Sequence, residues 1–126
     1  MRIKLDKADI MFSKYIRSRD NWTCQRCHTK YQEGDPGLHC SHYFGRSSES
    51  TRFDSENCDA LCFGCHQYWG ERDREEYRDF KIKQLGEKRF KLLRLRSNQY
   101  KKKDRKMSYI IAKKLLEQFL KSSNVQ

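Results

Sequence analysis

The sequence predicts a small α+β domain with flanking helices, held together by more than its apolar core. Three observations lead there. Hydrophobic residues make up 36% of the 126 and charged residues another 36%, so a single domain is the default and it has little apolar surface to bury. A short run with strand character near residues 38–44 lies between longer stretches with helical spacing. Six cysteines stand at 24, 27, 40, 58, 62 and 65, and four of them form two C-x-x-C pairs. The opening MRIKLDKADIMF has no apolar run of signal-peptide type, so these pairs point to zinc rather than disulfides and to a reducing compartment. No apolar segment approaches the ~18 residues of a membrane span, and the chain is expected to be soluble and cytoplasmic, with no membrane partner.

In DKADIMFSKYIRSR, residues 6–19, the side chains Ala8, Met11, Phe12, Tyr15 and Ile16 share one side of a helix that Asp6 can cap, with Asp9 well placed in its first turn. QEGDPGLHC carries turn residues ahead of Leu38 to Phe44, which can form one strand of a hairpin. The polar GRSSESTRFDSEN reads as an exposed loop with a brief strand around Thr51 to Phe53, and helix resumes near Leu61. Farther on, Tyr77, Phe80, Leu85, Phe90, Leu92 and Leu93 predict two helices broken near Gly86, the second more basic. SNQYKKKDRK reads as an exposed hinge before a last helix, about Met107 to Leu120, whose wide apolar face includes Ile110, Ile111, Leu115, Leu116 and Phe119. That face either docks on its own domain or pairs with a second copy as a homodimer. The expected division is therefore a domain over 1–96 and an extension over 97–126.

Charge is concentrated in the second half. Residues 86–126 hold 13 Lys/Arg against 3 Asp/Glu, a net of +10 out of +11 for the whole chain. Such a field favours nucleic acid as partner through counterion release, and Lys101, Lys102 and Lys103 are the most concentrated candidates for phosphate contact.

Cys24, Cys27, Cys62 and Cys65 can surround one structural zinc, because each C-x-x-C folds into a knuckle that presents both sulfurs from one side. Cys40 and Cys58 read as small buried hydrophobes, with ligation of a second metal as the alternative. His28 reads as a surface residue. His39, His42 and His66, together with Asp54 and Asn57, supply nitrogen and oxygen donors for an open metal site with a base beside it.

The pattern C-x2-C, then LHCSHYFGR, then NCDALCFGCH resembles the HNH nuclease superfamily, and N-x4-C-x2-C-H is its most specific part. SHYFGRSSESTRFDSEN and LGEKRF are similar to phage NinG/Rap-type recombination nucleases, over roughly residues 5–95 with the last helix outside. The resemblance implies a ββα-metal HNH core with flanking helices and a basic C-terminal helical extension. By the same resemblance His42 is the general base, Asn57 positions the loop and base or helps hold the ion, and His66 is a ligand of a catalytic divalent cation, Mg²⁺ or Mn²⁺. The four paired cysteines match structural zinc knuckles. Where the family has Asp or His just before the base, this chain has Ser41, so His39, Ser41 itself, Asp54 or a water must complete the ion's shell. Trp69 stands where a lysine is usual and can pack under the helix.

The implied activity is hydrolysis of DNA phosphodiester bonds, leaving 5′-phosphate and 3′-hydroxyl ends and failing as pH drops through the histidine range near neutrality. Arg46 and Arg52 can grip phosphates or remain solvated loop charge. No element resembles a reader of base edges, so structure-selective cutting of branched DNA such as a four-way junction is expected, in a bacterial host's cytoplasm if the chain is phage-encoded. The competing readings are a zinc DNA-binding module that does not cleave and a zinc-stabilised protein-interaction adaptor.

Overall fold

Asp6 accepts the Asp9 backbone N–H at 3.0 Å and Asp9 accepts the Asp6 N–H at 3.1 Å. This reciprocal capping box starts α1 (Lys7–Arg19) in the computed structural model, which describes residues 5–123. Ala8, Phe12 and Ile16 recur every four residues and are all buried, as the sequence pattern requires. The chain continues through β1 (Leu38–His42), a helical turn α2 (Glu49–Arg52), β2 (Cys58–Cys62), α3 (Phe63–Gln67), α4 (Arg74–Leu85), α5 (Glu87–Ser97) and α6 (Arg105–Ser123). A π turn over Tyr68–Arg72 joins α3 to α4. Gly86, at a φ of +84° that side-chain-bearing residues rarely adopt, breaks α4 from α5 where expected.

β1 and β2 form a two-stranded antiparallel sheet, with Leu38 opposite Cys62 and His42 opposite Cys58. Strand alternation sends successive side chains to opposite faces. Cys40 and Cys58 pack toward Phe12 and Ile16 of α1, while the Ser41 hydroxyl meets the Tyr77 hydroxyl of α4 at 2.9 Å. The hairpin is thus held between α1 and α4. The outer edge of β2 is also occupied: Ala60 N–H donates to Asp20 Oδ2, Ala60 C=O accepts from Gln25 N–H, and Arg19 donates to Cys58 C=O. No ladder group of this short edge is left for a foreign strand to pair with at that point.

On the α4 face the core is aromatic. Trp69 stacks on Tyr77 with ring centres 4.6 Å apart, and Tyr77 meets Tyr43 edge-on. Beside them lies a fully buried ion pair in which Lys81 Nζ donates to Asp59 Oδ2 at 3.0 Å, covered by exposed Gln84, whose Oε1 accepts from Lys81 Nζ at 2.7 Å and whose Nε2 donates to Asp59 Oδ1. Asp59→Ala would leave an ammonium buried without its counter-charge, and urea unfolding is expected to show a loss of about 3–5 kcal/mol. The double substitution Asp59→Leu with Lys81→Met should recover most of it; equal losses for single and double variants would mean the pair is not coupled.

Several expectations need correcting. Thr51 to Phe53 is no strand: residues 49–52 make one helical turn, and Thr51 is buried. The serine-rich segment is not a solvated loop either, because Ser48 and Ser50 donate their hydroxyls to the Ser97 and Arg96 carbonyls and so satisfy the C-terminal end of α5. Leu61 belongs to β2, and helix begins two residues later. The last helix starts at Arg105 and lies along α1, with Ala112 and Leu115 packed against Phe12 and Ile16. Arg105 ties its start to Asp6 and Glu49. Of the two uses left open for its apolar face, docking on its own domain accounts for part of it, and Met107, Ile110 and Ile111 stay exposed. Among the described residues, no helix is long and apolar enough to cross a membrane.

Candidate functional site

The two C-x-x-C pairs meet at one end of the hairpin. Cys24 and Cys27 sit on a turn closed by the Cys24 N–H to Thr29 C=O and His28 N–H to Cys24 C=O bonds, with exposed His28 in the left-handed region at φ +63°. Cys62 closes β2, and its sulfur accepts the Cys65 N–H at the start of α3. All four sulfurs lie within 4.8 Å of one another, and Cys27 Sγ is 3.8 Å from Cys62 Sγ. Tetrahedral zinc with bonds of about 2.3 Å sets its sulfurs about 3.8 Å apart, so the donor set fits that ion. Burial pushes the Cys65 thiol up to about 12, whereas the Thr29 hydroxyl bonded to Cys27 brings that thiol down to about 6. A cation is what lets four thiolates share so small a space. Four cysteines able to bind a structural zinc are thus in place.

The three histidines line one cavity of about 320 Å³ between α1 and β1, with Asp9, Ser13 and Arg17 of α1 as its opposite wall. His39 Nδ1 and His66 Nδ1 face each other at 3.1 Å, a separation that suits two adjacent ligands on one ion at bonds of about 2.1 Å. Burial lowers both rings' proton affinity, helped by Arg17 for His39 and by His39 for His66. His42 Nε2 lies 2.8 Å from the Arg52 carbonyl oxygen, which can only accept, so Nε2 carries the proton and Nδ1 keeps the lone pair. Burial takes the His42 pKa down to about 4 from 6.5, with nearby Arg46 and Arg52 contributing against the pull of that carbonyl and Asp9. The ring is neutral across the physiological range.

Asn57, fully buried, explains how His42 is held. Its amide donates to the Phe44 and Thr51 carbonyls and its oxygen accepts the Phe44 N–H, pinning both ends of the 44–57 loop. Thr51 precedes the residue whose carbonyl orients His42. Asn57 accordingly holds the loop beside His42 and does not line the cavity. Ser41 and Asp54 are elsewhere: Ser41 is buried against Tyr77, and Asp54 is engaged by Arg96 and the Glu56 N–H. Of the ligand candidates left open by the sequence, His39 alone faces His66, since the Ser41 hydroxyl is taken up by Tyr77 and the Asp54 carboxylate by Arg96.

Arg46 and Arg52 are not solvated loop charge. Both pair with Asp9, Arg52 through two nitrogens at 2.9 and 2.6 Å and Arg46 at 2.7 Å. Although burial alone would raise the Asp9 carboxyl, Arg52 and Arg46 hold it near 2. Lys101, Lys102 and Lys103 are exposed in the linker before α6.

The profile of the family described as Bacteriophage Lambda NinG protein matches residues 4–122. The chain belongs to the NinG family. Comparison with curated proteins and with solved structures finds no match. The NinG match runs through α6, so the last helix, expected to fall outside the resemblance, is part of the family's domain. In this NinG-family chain two cavity residues were missed by sequence reasoning, Asp9 and Arg17. Their spacing with Ser13, every four residues on α1, was the available signal, a polar stripe beside the apolar one.

Proposed function

We propose that this NinG-family chain is a metal-dependent DNA endonuclease of the HNH type, acting on branched or otherwise structured DNA. The observation that carries this reading is the cavity shared by a facing His39–His66 pair and a His42 ring locked with its lone pair free. A divalent cation held by His39 and His66 would act there as Lewis acid toward the scissile phosphate and the leaving 3′-oxygen. Neutral His42 takes the proton of the attacking water at Nδ1, with the Arg52 carbonyl stabilising the imidazolium through Nε2. Arg17 on the opposite wall is placed to meet phosphate charge. His39 facing His66 supports cleavage over a non-cleaving module, because it offers a donor where Ser41 stands in place of the family's Asp or His.

Two imidazoles suit a borderline transition ion better than Mg²⁺, so Mn²⁺ should support cleavage well and Mg²⁺ poorly. Incubating the purified chain with a four-way junction, a flap and a plain duplex, with and without Mn²⁺, tests the reading; absence of metal-dependent cleavage on all three would end it. The pH profile is expected to differ from that of an exposed histidine. His42 stays neutral until pH nears about 4, so the acid fall due to this base lies there rather than near neutrality. An acid limb centred near 6.5 would show that a different group is the base. Stability follows the same ring: its contribution, about 3 kcal/mol, is complete above pH 6.5 and lost as pH falls through about 4.

A further inference from the structure

On the α1 side of the hairpin, behind the histidine pair, stands a second group of metal-ligating side chains. Cys40, His42 and Cys58 each offer one ligand atom, and the three atoms lie within 4.8 Å of one another. We propose that Cys40, Cys58 and His42 form a second metal site, separate from the four-cysteine zinc, that takes one thiophilic cation such as Zn²⁺.

The hairpin register builds this group. His42 and Cys58 are directly opposed across the strands, and Cys40 stands two residues before His42, on the same face. His42 donates Nε2–H to a backbone carbonyl, the arrangement that fixes the tautomer of a metal-bound imidazole and leaves Nδ1 as donor. Two thiolates and an imidazole are a zinc donor set that leaves a fourth position open. Cys40 and His42 line the 320 Å³ cavity, which gives an ion a route in, while Cys58 is fully buried at its back. Binding releases the two thiol protons to solvent, and the resulting thiolates cancel the ion's charge beside Phe12 and Ile16.

The consequence for activity rests on the nuclease reading above: an ion on Nδ1 of His42 occupies the lone pair that the base needs. The site would be inhibitory toward thiophilic metals. Binding can be measured without any assay of cleavage. The chain carrying one equivalent of zinc is titrated with Co²⁺ and followed by absorption, because thiolate-bound cobalt gives a charge-transfer band that imidazole and carboxylate ligands do not. Wild type and His66→Ala are expected to take up one further Co²⁺ with this band, and Cys40→Ala to lose it. Cys40 is half-buried, so this variant avoids the folding risk of changing Cys58, and circular dichroism checks that its fold is kept. No band in wild type, or an undiminished band in Cys40→Ala, overturns the site. In the Mn²⁺ cleavage assay one added equivalent of Zn²⁺ should slow wild type about a hundredfold, the scale of losing a general base, and Cys40→Ala far less. If the chain cleaves no DNA, the cobalt band still decides the metal site on its own.

Discussion

Cys27→Ser is expected to abolish the cooperative thermal transition of the domain, and a strong chelator is expected to do the same to wild type until zinc is restored. The choice of residue makes the test sharp. Cys27 is exposed, so an isosteric serine there removes almost no packing and would ordinarily be nearly neutral. Its only large effect would come through the four-sulfur cluster. An ion there would tie the turn after α1 to the junction of β2 and α3, across a segment that contains β1 with His39 and His42, and His66 follows directly on Cys65. Structural zinc supplies about 10–16 kcal/mol in small peptides, as much as the whole stability of an ordinary domain, about 5–15 kcal/mol. Far-ultraviolet circular dichroism with zinc quantitation reads the outcome. A chelated chain that melts at the wild-type temperature would show that the cysteines hold no ion that matters.

What the sequence revealed was set by local physics. The capping box of α1, its buried Ala8, Phe12 and Ile16, the break at Gly86 and the cysteine knuckles depend on neighbours a few residues away. The misread parts depend on partners far along the chain. Residues 48–50 are polar because they finish α5 nearly fifty positions later, and Arg52 is charged because Asp9 waits for it on α1. The docking of α6 on α1 joins the two ends of the described chain, which no periodicity shows. The ligand beside His66 is the most instructive case. The sequence left His39, Ser41, Asp54 and a water open, and what decides among them is non-local: the Ser41 hydroxyl is bonded to Tyr77 of α4, while His39 meets His66 of α3.

Replacing His39, His66 or His42 by alanine should remove most cleavage in each case, yet by two routes that metal titration separates. His39→Ala or His66→Ala halves the imidazole donors of the facing pair, so activity should need far more Mn²⁺ and return in part when Mn²⁺ is raised. His42→Ala leaves both donors in place. Its metal requirement should be close to wild type, while the saturated rate falls about 10²–10⁴-fold, the range a positioned general base supplies. Asn57→Ala should resemble His42→Ala in rate, since it frees the Thr51 and Phe44 carbonyls that fix the loop orienting the base, but it should also lower stability because Asn57 is fully buried and makes three hydrogen bonds. Identical metal curves for all four variants would mean the histidines are not divided between holding an ion and moving a proton. A division in the expected sense would place the ion at the 39–66 edge and the water between it and Nδ1 of His42, because the Arg52 carbonyl leaves no other nitrogen able to accept a proton.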